Sequence, residues 1–541
     1  MTVKFFLFLF SFFWFLRQIK AILFWLYLWQ LKEYHIGRFG DHFRTYKGKK
    51  IFLNKVFISK ILLFLPLIFL REKIYFYFLF LFSYFLESLK FLFDLFLKKT
   101  ILPKFTLKII LLFFFNLFFV FFYFFSNLKF HFYFLFYLVL FDILNFGTIS
   151  ALVLIFQIPT ALFKRIIIEK AKQKRKKFKD LLVIAIVGSY GKTSTKEFLA
   201  EILSQKYKVL KTKEHQNSEI GISKCILNNL KPEHQIFVVE MGAYNKGGIK
   251  LLCEIAKPKI GIITGVNEQH LALFGSMENL ISAEGGKELI ESLPENGLVI
   301  FNGNNRYCQE LYQKTKILKR IVYSTFSTTV KNIEYDLTAE NIKVEKEYLF
   351  FTITSKDGEK ADFKVNLLGA QNIENVLLAA CCAKELGMSL KEISQASEKL
   401  KSLPHQMELK KGINNLNIID ATYSANPDGV FSHLEYLKVW SGKKVIVMPC
   451  LIELGKASKK IHKKIGEKIA EVCDLAIITT KDKLKEIRDE AIKNGMRKEN
   501  ILFLETPEEI FEKIKNFCQK EDVILLEGRV PDQLMKLLEK K

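Results

Sequence analysis

Cysteine is absent from the first 224 residues of this 541-residue chain, and the eight cysteines that follow form no C-x-x-C pair. Disulfide frameworks and structural zinc sites depend on paired or regularly spaced cysteines. Both classes are therefore excluded. The simple interpretation of the eight thiols is that they are kept reduced in the cytoplasm.

Acidic residues are also scarce, because 56 Asp and Glu stand against 81 Lys and Arg, which gives a formal net charge of +25. Such an excess of positive charge can indicate that a protein binds nucleic acid. Here much of the basic charge flanks apolar runs, and 39 of the 53 Phe residues lie in residues 1–160. A membrane surface explains this pattern better, so no nucleic-acid partner is expected.

Five apolar runs in the first third approach the length of a bilayer span: 5–30, 56–70, 74–97, 106–126 and 131–159. A buried core helix or a signal peptide would account for one run but not for five in series. Charged residues within the runs are few, and the exceptions singled out are Arg17, Lys20, Glu87 and Asp94. The sequence predicts a transmembrane region of about five spans over 1–160.

Basic residues in the loops predict the orientation of these spans. Lys and Arg gather in 31–55, 98–108 and 164–179, whereas 71–73 and 127–130 are short and less basic. The N-terminus is therefore expected outside, with the C-terminal part in the cytoplasm beneath the inner membrane. Residues 161–180 form a basic juxtamembrane linker, either lying against anionic lipid or simply solvated.

The remainder alternates apolar, β-rich runs with helical patterns, as in "LLVIAIVG", "HQIFVVEMG" and "PKIGIITGV". Such alternation predicts doubly wound α/β domains with parallel sheets. A break near 399–411 divides this part into domains at 181–402 and 403–541. The charged stretch 331–365 alternates like antiparallel strands and is expected to be a β insertion in the first of these domains.

The common nucleotide loop, G-x-x-x-x-G-K-[ST], lacks its first glycine here, because Ile186 occupies that position and Gly188 opens G-S-Y-G-K-T-S. The loop follows a strand and precedes a helix, so backbone N–H groups can cradle phosphate oxygens. Lys192 would reach the terminal phosphates and the Thr193 hydroxyl could bind Mg²⁺. The alternative is an ordinary turn between a strand and a helix.

Two further strand ends carry residues suited to metal binding. Glu240 ends the strand in "FVVEMG", and His270 follows the strand in "ITGVNEQH", with Glu284 in the next helical pattern. Carboxylates and imidazoles hold divalent metals, so these residues indicate a second metal site. In isolation, a solvated strand-end Glu and a structural His are the commoner interpretations.

Residues from about 181 to 541 resemble the ATP-dependent Mur ligases, and within them the members that add D-alanyl-D-alanine to UDP-N-acetylmuramoyl-tripeptide. That family's short loop, G-[ST]-x-G-K-[ST]-[ST], matches 188–194 and accounts for the missing glycine. The other matching positions, in chain order, are Glu240, His270, Asn302, Gly369, Asn372, Asn375, Asp420, Tyr423, Asn426, Pro427, Glu453, Gly455 and His462.

The resemblance implies a P-loop-type central ATPase domain, a C-terminal Rossmann-like domain, ATP and Mg²⁺, and an amide bond made through an acyl phosphate. The residues implied as catalytic are Lys192, His270 and Glu284. Those implied for the nucleotide are Gly188, Ser189, Tyr190, Gly191, Lys192, Thr193, Ser194, Asn302 and Asp420. Those implied for Mg²⁺ are Thr193, Glu240, His270 and Glu284. A monomer is expected.

Several positions depart from the family pattern. The family commonly uses a carbamylated Lys to help hold the second metal. An alignment that runs without gaps from "FGS" at 274–276 places Glu284 at this position. Lys287 is the competing candidate if the alignment shifts. The other departures, which affect nucleotide contacts and the choice of amino substrate, are Gln406, Ala421, Glu527 and Arg529. The membrane region also occupies the place of the soluble domain that holds the UDP end.

The leading hypothesis is a membrane-anchored cell-wall ligase whose acceptor is either UDP-linked or lipid-linked. A second hypothesis keeps the ligase scaffold but changes the substrate, as in poly-γ-glutamate-like or folate-like ligases; the "YSANPDG" and "IELG" segments favour the cell-wall branch. A third is a membrane transporter or sensor that binds ATP, but a transport ATPase should have the full nucleotide loop that is missing here.

Overall fold

The computed structural model describes residues 2–70, 74–128, 133–213, 216–324 and 333–539. The chain divides into two compact units, unit 1 (1–164) and unit 2 (165–541). The predicted outward linker 71–73, and the second half of the predicted linker 127–130, lie outside the described residues.

Among its described residues, unit 1 contains helices and no strands. Its helices are α1 (Thr2–Leu31), α2 (Ile36–His42), α3 (Tyr46–Phe52), α4 (Lys55–Leu70), α5 (Ile74–Phe96), α6 (Leu107–Asn127) and α7 (Phe134–Ile155). The next helix, α8 (Gln157–Lys176), crosses into unit 2.

Unit 2 alternates strands and helices. Its strands are β1 (Leu182–Val187), β2 (Val209–Lys211), β3 (Ile236–Glu240), β4 (Ile260–Ile263), β5 (Leu298–Asn302), β6 (Leu318–Ser324), β7 (Leu337–Val344), β8 (Leu349–Ser355), β9 (Lys360–Val365), β10 (Glu408–Lys411), β11 (Asn417–Ala421), β12 (Lys444–Met448), β13 (Leu475–Ile478), β14 (Ile501–Phe503) and β15 (Val523–Glu527). Its helices are α9 (Lys192–Leu203), α10 (Glu219–Asn229), α11 (Gly248–Ala256), α12 (Leu271–Phe274), α13 (Met277–Ser282), α14 (Lys287–Ser292), α15 (Arg306–Lys314), α16 (Gln371–Glu385), α17 (Leu390–Ser397), α18 (Pro427–Tyr436), α19 (Ser458–Val472), α20 (Leu484–Lys493), α21 (Pro507–Phe517) and α22 (Asp532–Glu539).

Five helical stretches are long and apolar enough, by length and composition, to cross a membrane: Phe6–Leu31, Tyr46–Phe69, Tyr75–Phe96, Leu107–Asn127 and Phe134–Lys176. Each overlaps one of the five predicted runs. The stretch at 46–69 joins α3 and α4, so it extends beyond the run predicted at 56–70 into basic residues that were predicted to lie in a loop.

Helix α1 lies at the centre of unit 1 and packs against α5, α6 and α7. Two of its tryptophans are buried and tie it to α7, because the Trp14 indole donates to the Leu138 carbonyl at 3.0 Å and the Trp29 indole donates to Ser150 Oγ at 3.0 Å. Outward-facing phenylalanines of α6 are instead more than half exposed: Phe114, Phe118, Phe122 and Phe125. Unit 1 thus combines a packed interior with an apolar exterior.

Four charged side chains meet inside unit 1. The Arg17 guanidinium lies 2.7 Å from Glu87 and 3.5 Å from Asp142. The Lys60 ammonium lies 2.9 Å from Glu87 and 2.7 Å from Asp142, and Gln18 donates to Asp142 at 3.1 Å. The predicted set of charges within the apolar runs was incomplete, because it omitted Lys60 and Asp142. This charge quartet (Arg17, Lys60, Glu87 and Asp142) is neutral and joins α1, α4, α5 and α7.

The first sheet of unit 2 has nine strands in the order β2-β3-β1-β4-β5-β6-β7-β8-β9. The first seven of these run parallel, while β8 and β9 complete the antiparallel ladder predicted for the charged insertion. One face is covered by α9, α16 and α17, and the other by α8, α10, α11 and α15. Because β1 lies between β3 and β4, the residues that follow these three strands meet at one edge of the sheet.

The second sheet has six strands in the order β10-β11-β15-β12-β13-β14, of which only β10 is antiparallel to its neighbour. Helices α18, α19 and α20 cover one face, and α21 and α22 cover the other. Strand β15 lies between β11 and β12, so the loops after β11 and β12 flank the carboxyl end of β15. Both sheets are buried α/β sheets of the predicted class.

Candidate active site

The loop 188–191 joins β1 to α9 and brings backbone N–H groups to the edge of the sheet. Gly188 and Gly191 have φ of +140° and +74°, in the region that favours glycine. No side chain caps α9, whose first N–H groups therefore stay available for an anion. The Ser189 N–H donates to the Gly265 carbonyl at 2.7 Å, while the buried Ser189 hydroxyl has no hydrogen-bond partner.

Lys192, the first residue of α9, curls back over the loop. Its ammonium donates to the Gly188 carbonyl and lies 3.4 Å from Glu284 Oε1. Glu284 is only 3% exposed, and its second oxygen has no hydrogen-bond partner. A buried carboxylate with an unsatisfied oxygen is costly unless a cation or a donor completes it, so this position fits a metal or a ligand.

The competing candidate, Lys287, lies elsewhere. It is the first residue of α14, its side chain is 57% exposed, and its ammonium is 3.9 Å from Glu291 one helical turn away. The geometry therefore places Glu284, and not Lys287, beside the phosphate loop.

Thr193 and Glu240 face each other at the other side of the loop. The Thr193 hydroxyl donates to Glu240 Oε2 at 3.0 Å, and Asn217 donates to Glu240 Oε1 at 3.0 Å. The fully buried Lys196 ammonium lies 3.4 Å from the same carboxylate. The ladder places Glu240 beside Ile186 of β1, which is why a strand-end Glu about fifty residues away reaches the loop.

His270 lies beside the second α/β domain. Its Nδ1 is 2.7 Å from Glu453 Oε2, and the Glu453 carbonyl accepts from the Ala272 N–H at 2.9 Å. The Tyr244 ring meets the imidazole edge to face at 5.7 Å. Within the described part of the chain, the ligand atoms of Glu240, His270 and Glu284 do not all lie within 4.8 Å of one another, so these three residues do not form one compact cluster.

Asn302 and Asp420 have protein partners for their polar atoms. The Asn302 amide donates to Glu374 at 2.7 Å and to the Thr264 carbonyl at 2.8 Å, and its oxygen accepts from the Asn304 N–H at 3.0 Å. Through these contacts, Asn302 stabilises the loops that follow β4 and β5. Asp420 is fully buried on β11.

Asp420 is held by a cation and a histidine. Lys410 and His405 both lie 2.8 Å from Asp420 Oδ2. Burial opposes ionisation, but hydrogen bonds from Lys410, Thr422 and His405 outweigh it and lower the pKa of this carboxyl. Asp420, His405 and Glu408 have ligand atoms close enough to share a metal, yet the Lys410 ammonium already occupies the carboxylate.

The remaining loop residues have structural partners too. The Tyr190 hydroxyl accepts from Asn305 at 3.2 Å, and burial raises its pKa well above the usual range. The Ser194 hydroxyl lies 3.5 Å from Gln406 Oε1, so the residue that departs from the family pattern touches the loop helix. Asn375 of α16 accepts from Thr195 at 3.2 Å.

Several residues that sequence reasoning did not assign to the site bind the two α/β domains together. The Asn267 amide donates to Asp428 at 2.6 Å and to Asn426 at 3.1 Å. Together with the His270–Glu453 contact, these hydrogen bonds hold the second α/β domain against the first beside the site. The motif around Asn426 and Glu453 was visible in the sequence, but nothing in its spacing named these partners.

Glu374 is a buried carboxylate whose protonation should make stability depend on pH. Burial raises its pKa from 4.5 to about 7, and the hydrogen bond from Asn302 only partly offsets this. Such a shift corresponds to about 3 kcal/mol of stability that is present below pH 4.5 and lost as pH rises through 7. Glu374→Gln should therefore raise Tm at pH 8 and leave it unchanged at pH 5, measured by thermal unfolding of the full chain.

The exposed Glu499 on unit 2 provides a control for this prediction. Glu499→Gln should shift Tm little and equally at both pH values. A Tm difference between wild type and Glu374→Gln that does not change between pH 5 and pH 8 would contradict the assignment.

Comparison with known proteins agrees with this geometry. Residues 186–383 match the Mur ligase middle domain, and residues 405–530 match the Mur ligase, glutamate ligase domain. UDP-N-acetylmuramoyl-tripeptide–D-alanyl-D-alanine ligase of Escherichia coli is 33% identical over 53% of this chain and 61% of that protein. The same-named ligase of Bacillus subtilis is 29% identical over 64% of this chain and 72% of that protein.

Among solved structures, the MurF ligase of Thermotoga maritima in complex with ADP superposes with a TM-score of 0.58 and 25% identity, over 70% of this chain and 83% of that one. MurF of Acinetobacter baumannii superposes with a TM-score of 0.61 over 70% of this chain and 81% of that one; at 24% identity this shows the fold alone. The chain spans about three fifths of the E. coli relative. The two matched domains cover more than half of the chain, which therefore belongs to the Mur ligase family.

Proposed function

We propose that this chain is a membrane-anchored, ATP-dependent ligase that joins the carboxylate of a muramoyl-peptide to the amine of D-alanyl-D-alanine. One observation carries the proposal. The lysine of the short phosphate loop faces a buried carboxylate, Glu284, that has an unsatisfied oxygen, and the following Thr193 faces a second carboxylate, Glu240. We assign the first α/β domain as a P-loop-type ATPase and the second as a Rossmann-like domain.

The residues around the loop fit a nucleotide with Mg²⁺. The unpartnered Ser189 hydroxyl and the uncapped start of α9 suit phosphate oxygens. Glu240 with Thr193, and Glu284 with His270, offer the oxygen and nitrogen ligands for two ions. When bound, Mg²⁺ supplies positive charge to the phosphates and to the reacting carboxylate.

In the proposed reaction, a carboxylate oxygen of the acceptor attacks the γ-phosphorus of ATP and the bridging oxygen leaves with ADP. The donor amine then attacks the carbonyl carbon of the acyl phosphate, loses a proton and displaces phosphate. Lys192 neutralises charge on the transferred phosphoryl group, and the loop amides orient it. Docking of the second domain, through Asn267 and His270, brings the donor side to the acyl phosphate and excludes water.

Gly188→Ala should remove nucleotide binding. A Cβ at this position would lie 2.1 Å from Thr264 Oγ1 and 2.9 Å from the Gly265 carbonyl, so the loop must shift. Misplacement of about 1 Å can cost on the order of 100-fold, and we expect at least that loss in affinity for a fluorescent ATP analogue.

Gly358→Ala is the matched control for backbone strain. Its φ is +88°, but a Cβ there meets nothing within 4 Å. This variant should lose about 1 kcal/mol of stability and bind the analogue normally. Equal affinity of Gly188→Ala and wild type would refute the assignment of the loop.

The departures from the family pattern concern the substrates. Glu527 is buried at the carboxyl end of β15, opposite Ala421 in the ladder, and its Oε2 lies 2.6 Å from His433 Nδ1. The family segment that corresponds to "EGR" at 527–529 reads K-G-S, so the resemblance implies that the charge near the proposed donor site is reversed here and paired with a histidine. We infer that this chain contacts the donor or the nucleotide differently from its relatives.

The proposal leaves two acceptors open, a UDP-linked and a lipid-linked muramoyl-peptide, and one experiment distinguishes them. Membranes containing the full chain would receive ATP and D-alanyl-D-alanine with either the UDP-linked or the lipid-linked muramoyl-tripeptide, and ADP release and peptide product would be measured. We expect product with one of the two acceptors. If neither acceptor stimulates ADP release, the proposal is wrong; stimulation only by glutamate-type substrates would favour the poly-γ-glutamate-like alternative.

We propose that unit 1 places the ligase domains on the cytoplasmic side of the inner membrane, with the N-terminus outside, as a monomer. The apolar exterior and the basic segments 31–55 and 98–108 support this. Seven of the eight native cysteines are buried and Cys518 is partly exposed, so a Cys518→Ser background leaves an introduced cysteine as the accessible thiol. In that background, Arg44→Cys should react with an impermeant maleimide only after the inner membrane is opened.

A transporter or sensor remains the less favoured alternative. Four of the charges within the apolar helices, Arg17, Lys60, Glu87 and Asp142, are paired with one another in the charge quartet. Their mutual neutralisation supports a packing role.

A further inference from the structure

His270 is held on two sides. A histidine that binds a metal through one ring nitrogen usually donates its other N–H to a carboxylate or a carbonyl, which fixes both the tautomer and the ring orientation. Glu453 occupies that position, 2.7 Å from Nδ1, and the Tyr244 ring contacts the imidazole in a T-shaped arrangement. With Nδ1 engaged, Nε2 is the nitrogen left for a ligand.

The carboxylate that holds His270 comes from the other α/β domain. Glu453 follows β12, whereas His270 precedes α12, 183 positions earlier in the chain. Their φ values are +65° and +66°, a conformation that non-glycine residues adopt rarely and at a cost. Two such residues facing each other, tied also through the Ala272 N–H and the Glu453 carbonyl, indicate a contact that the fold maintains against strain.

We propose that Glu453 is a positioning residue that orients His270 for the second Mg²⁺, so that this metal site is complete only when the second domain is docked. The inference rests on the proposed ligase function. Its consequence is an order of events: the acyl phosphate is stabilised only once the domain that carries the donor side is in place. That order protects the acyl phosphate from water.

The contact of Asn267 with Asp428 provides a comparison, because it also joins the two domains but does not touch His270. If Glu453 acts only by docking the domains, loss of either contact should have the same effect on metal binding. If Glu453 orients the imidazole, only its own loss should affect the second metal.

The test uses the full-length protein, a non-hydrolysable ATP analogue and Mn²⁺ followed by electron paramagnetic resonance. Wild type should bind two Mn²⁺ ions. Glu453→Ala should weaken one of them by about 10–100-fold, while Glu453→Gln, which can still accept from Nδ1–H, and Asp428→Ala should keep both within about 3-fold. The Mg²⁺ concentration for half-maximal ATP turnover should rise for Glu453→Ala with the KM for ATP unchanged.

Two tight Mn²⁺ ions in Glu453→Ala, or equal losses in Glu453→Ala and Asp428→Ala, would overturn the inference. Failure of the proposed function has a different signature, since wild type itself would then bind no Mn²⁺ with the nucleotide analogue.

Discussion

We expect Glu284→Ala to abolish the proposed amide formation at saturating ATP, with a loss of about 1,000-fold in kcat. The carboxylate lies 3.4 Å from the Lys192 ammonium, is 3% exposed and has one oxygen without a partner. A Glu supplies directly the carboxylate that relatives are expected to obtain from a carbamylated lysine. The measurement is ADP release and peptide product in membranes that contain the full chain.

Two variants sharpen this test. Glu284→Gln keeps the shape and removes the charge, so it should lose nearly as much activity as the alanine variant while retaining the fold. Lys287→Ala removes the exposed competing residue and should leave kcat unchanged. Activity retained in Glu284→Ala, or lost in Lys287→Ala, would show that the second metal is held elsewhere.

The sequence predicted the parts of this protein that depend on short-range pattern. Strand, loop and helix around Gly188 are local, and the strand ending at Glu240 could be identified from its apolar run. Parallel pairing of β1 with β3 and β4 then brings Glu240 and the loop to one edge by geometry alone. The antiparallel insertion at β7–β9 followed from simple alternation.

Contacts between distant segments could not be predicted in this way. Glu453 reaches His270, and Asp428 reaches Asn267, only because the second domain docks on the first. Asn302 is a similar case. Its position in a family motif predicts a nucleotide contact, which stays a prediction, while the hydrogen bond from its amide to Glu374 of α16 could not be predicted from the motif. Side-chain partners of this kind are set by tertiary packing, which periodicity does not encode.

The same limit applied in unit 1. Lys60 and Asp142 each lie in an otherwise apolar run, and their significance emerges only when four helices come together. In the proposed membrane location of unit 1, the hydrophobic effect gives little attraction between helices, so packing and polar contacts must hold the bundle. The charge quartet supplies two cations and two anions that satisfy one another, together with Gln18. We infer that it fixes the arrangement of α1, α4, α5 and α7.

Asp142→Asn should therefore destabilise unit 1 strongly. Removing one member leaves the Lys60 ammonium, 2% exposed, without full compensation, which typically costs about 3–5 kcal/mol. For a region of this size that corresponds to a fall in Tm of about 10 °C. Three of the four tryptophans, Trp14, Trp25 and Trp29, lie in unit 1, so intrinsic fluorescence of the full chain in nanodiscs reports mainly on its unfolding.

Replacing one ion pair of the charge quartet with apolar residues tests whether the quartet only stabilises helix packing or also has a role in function. Lys60→Met/Asp142→Leu removes a cation and an anion together and leaves Arg17 paired with Glu87 at 2.7 Å, so it should recover most of the lost Tm. Lys90→Met, at an exposed position on α5, is the matched control and should change Tm little. A double variant with wild-type Tm but no ligation in membranes would mean that the charges act in function, because packing alone would then have been restored.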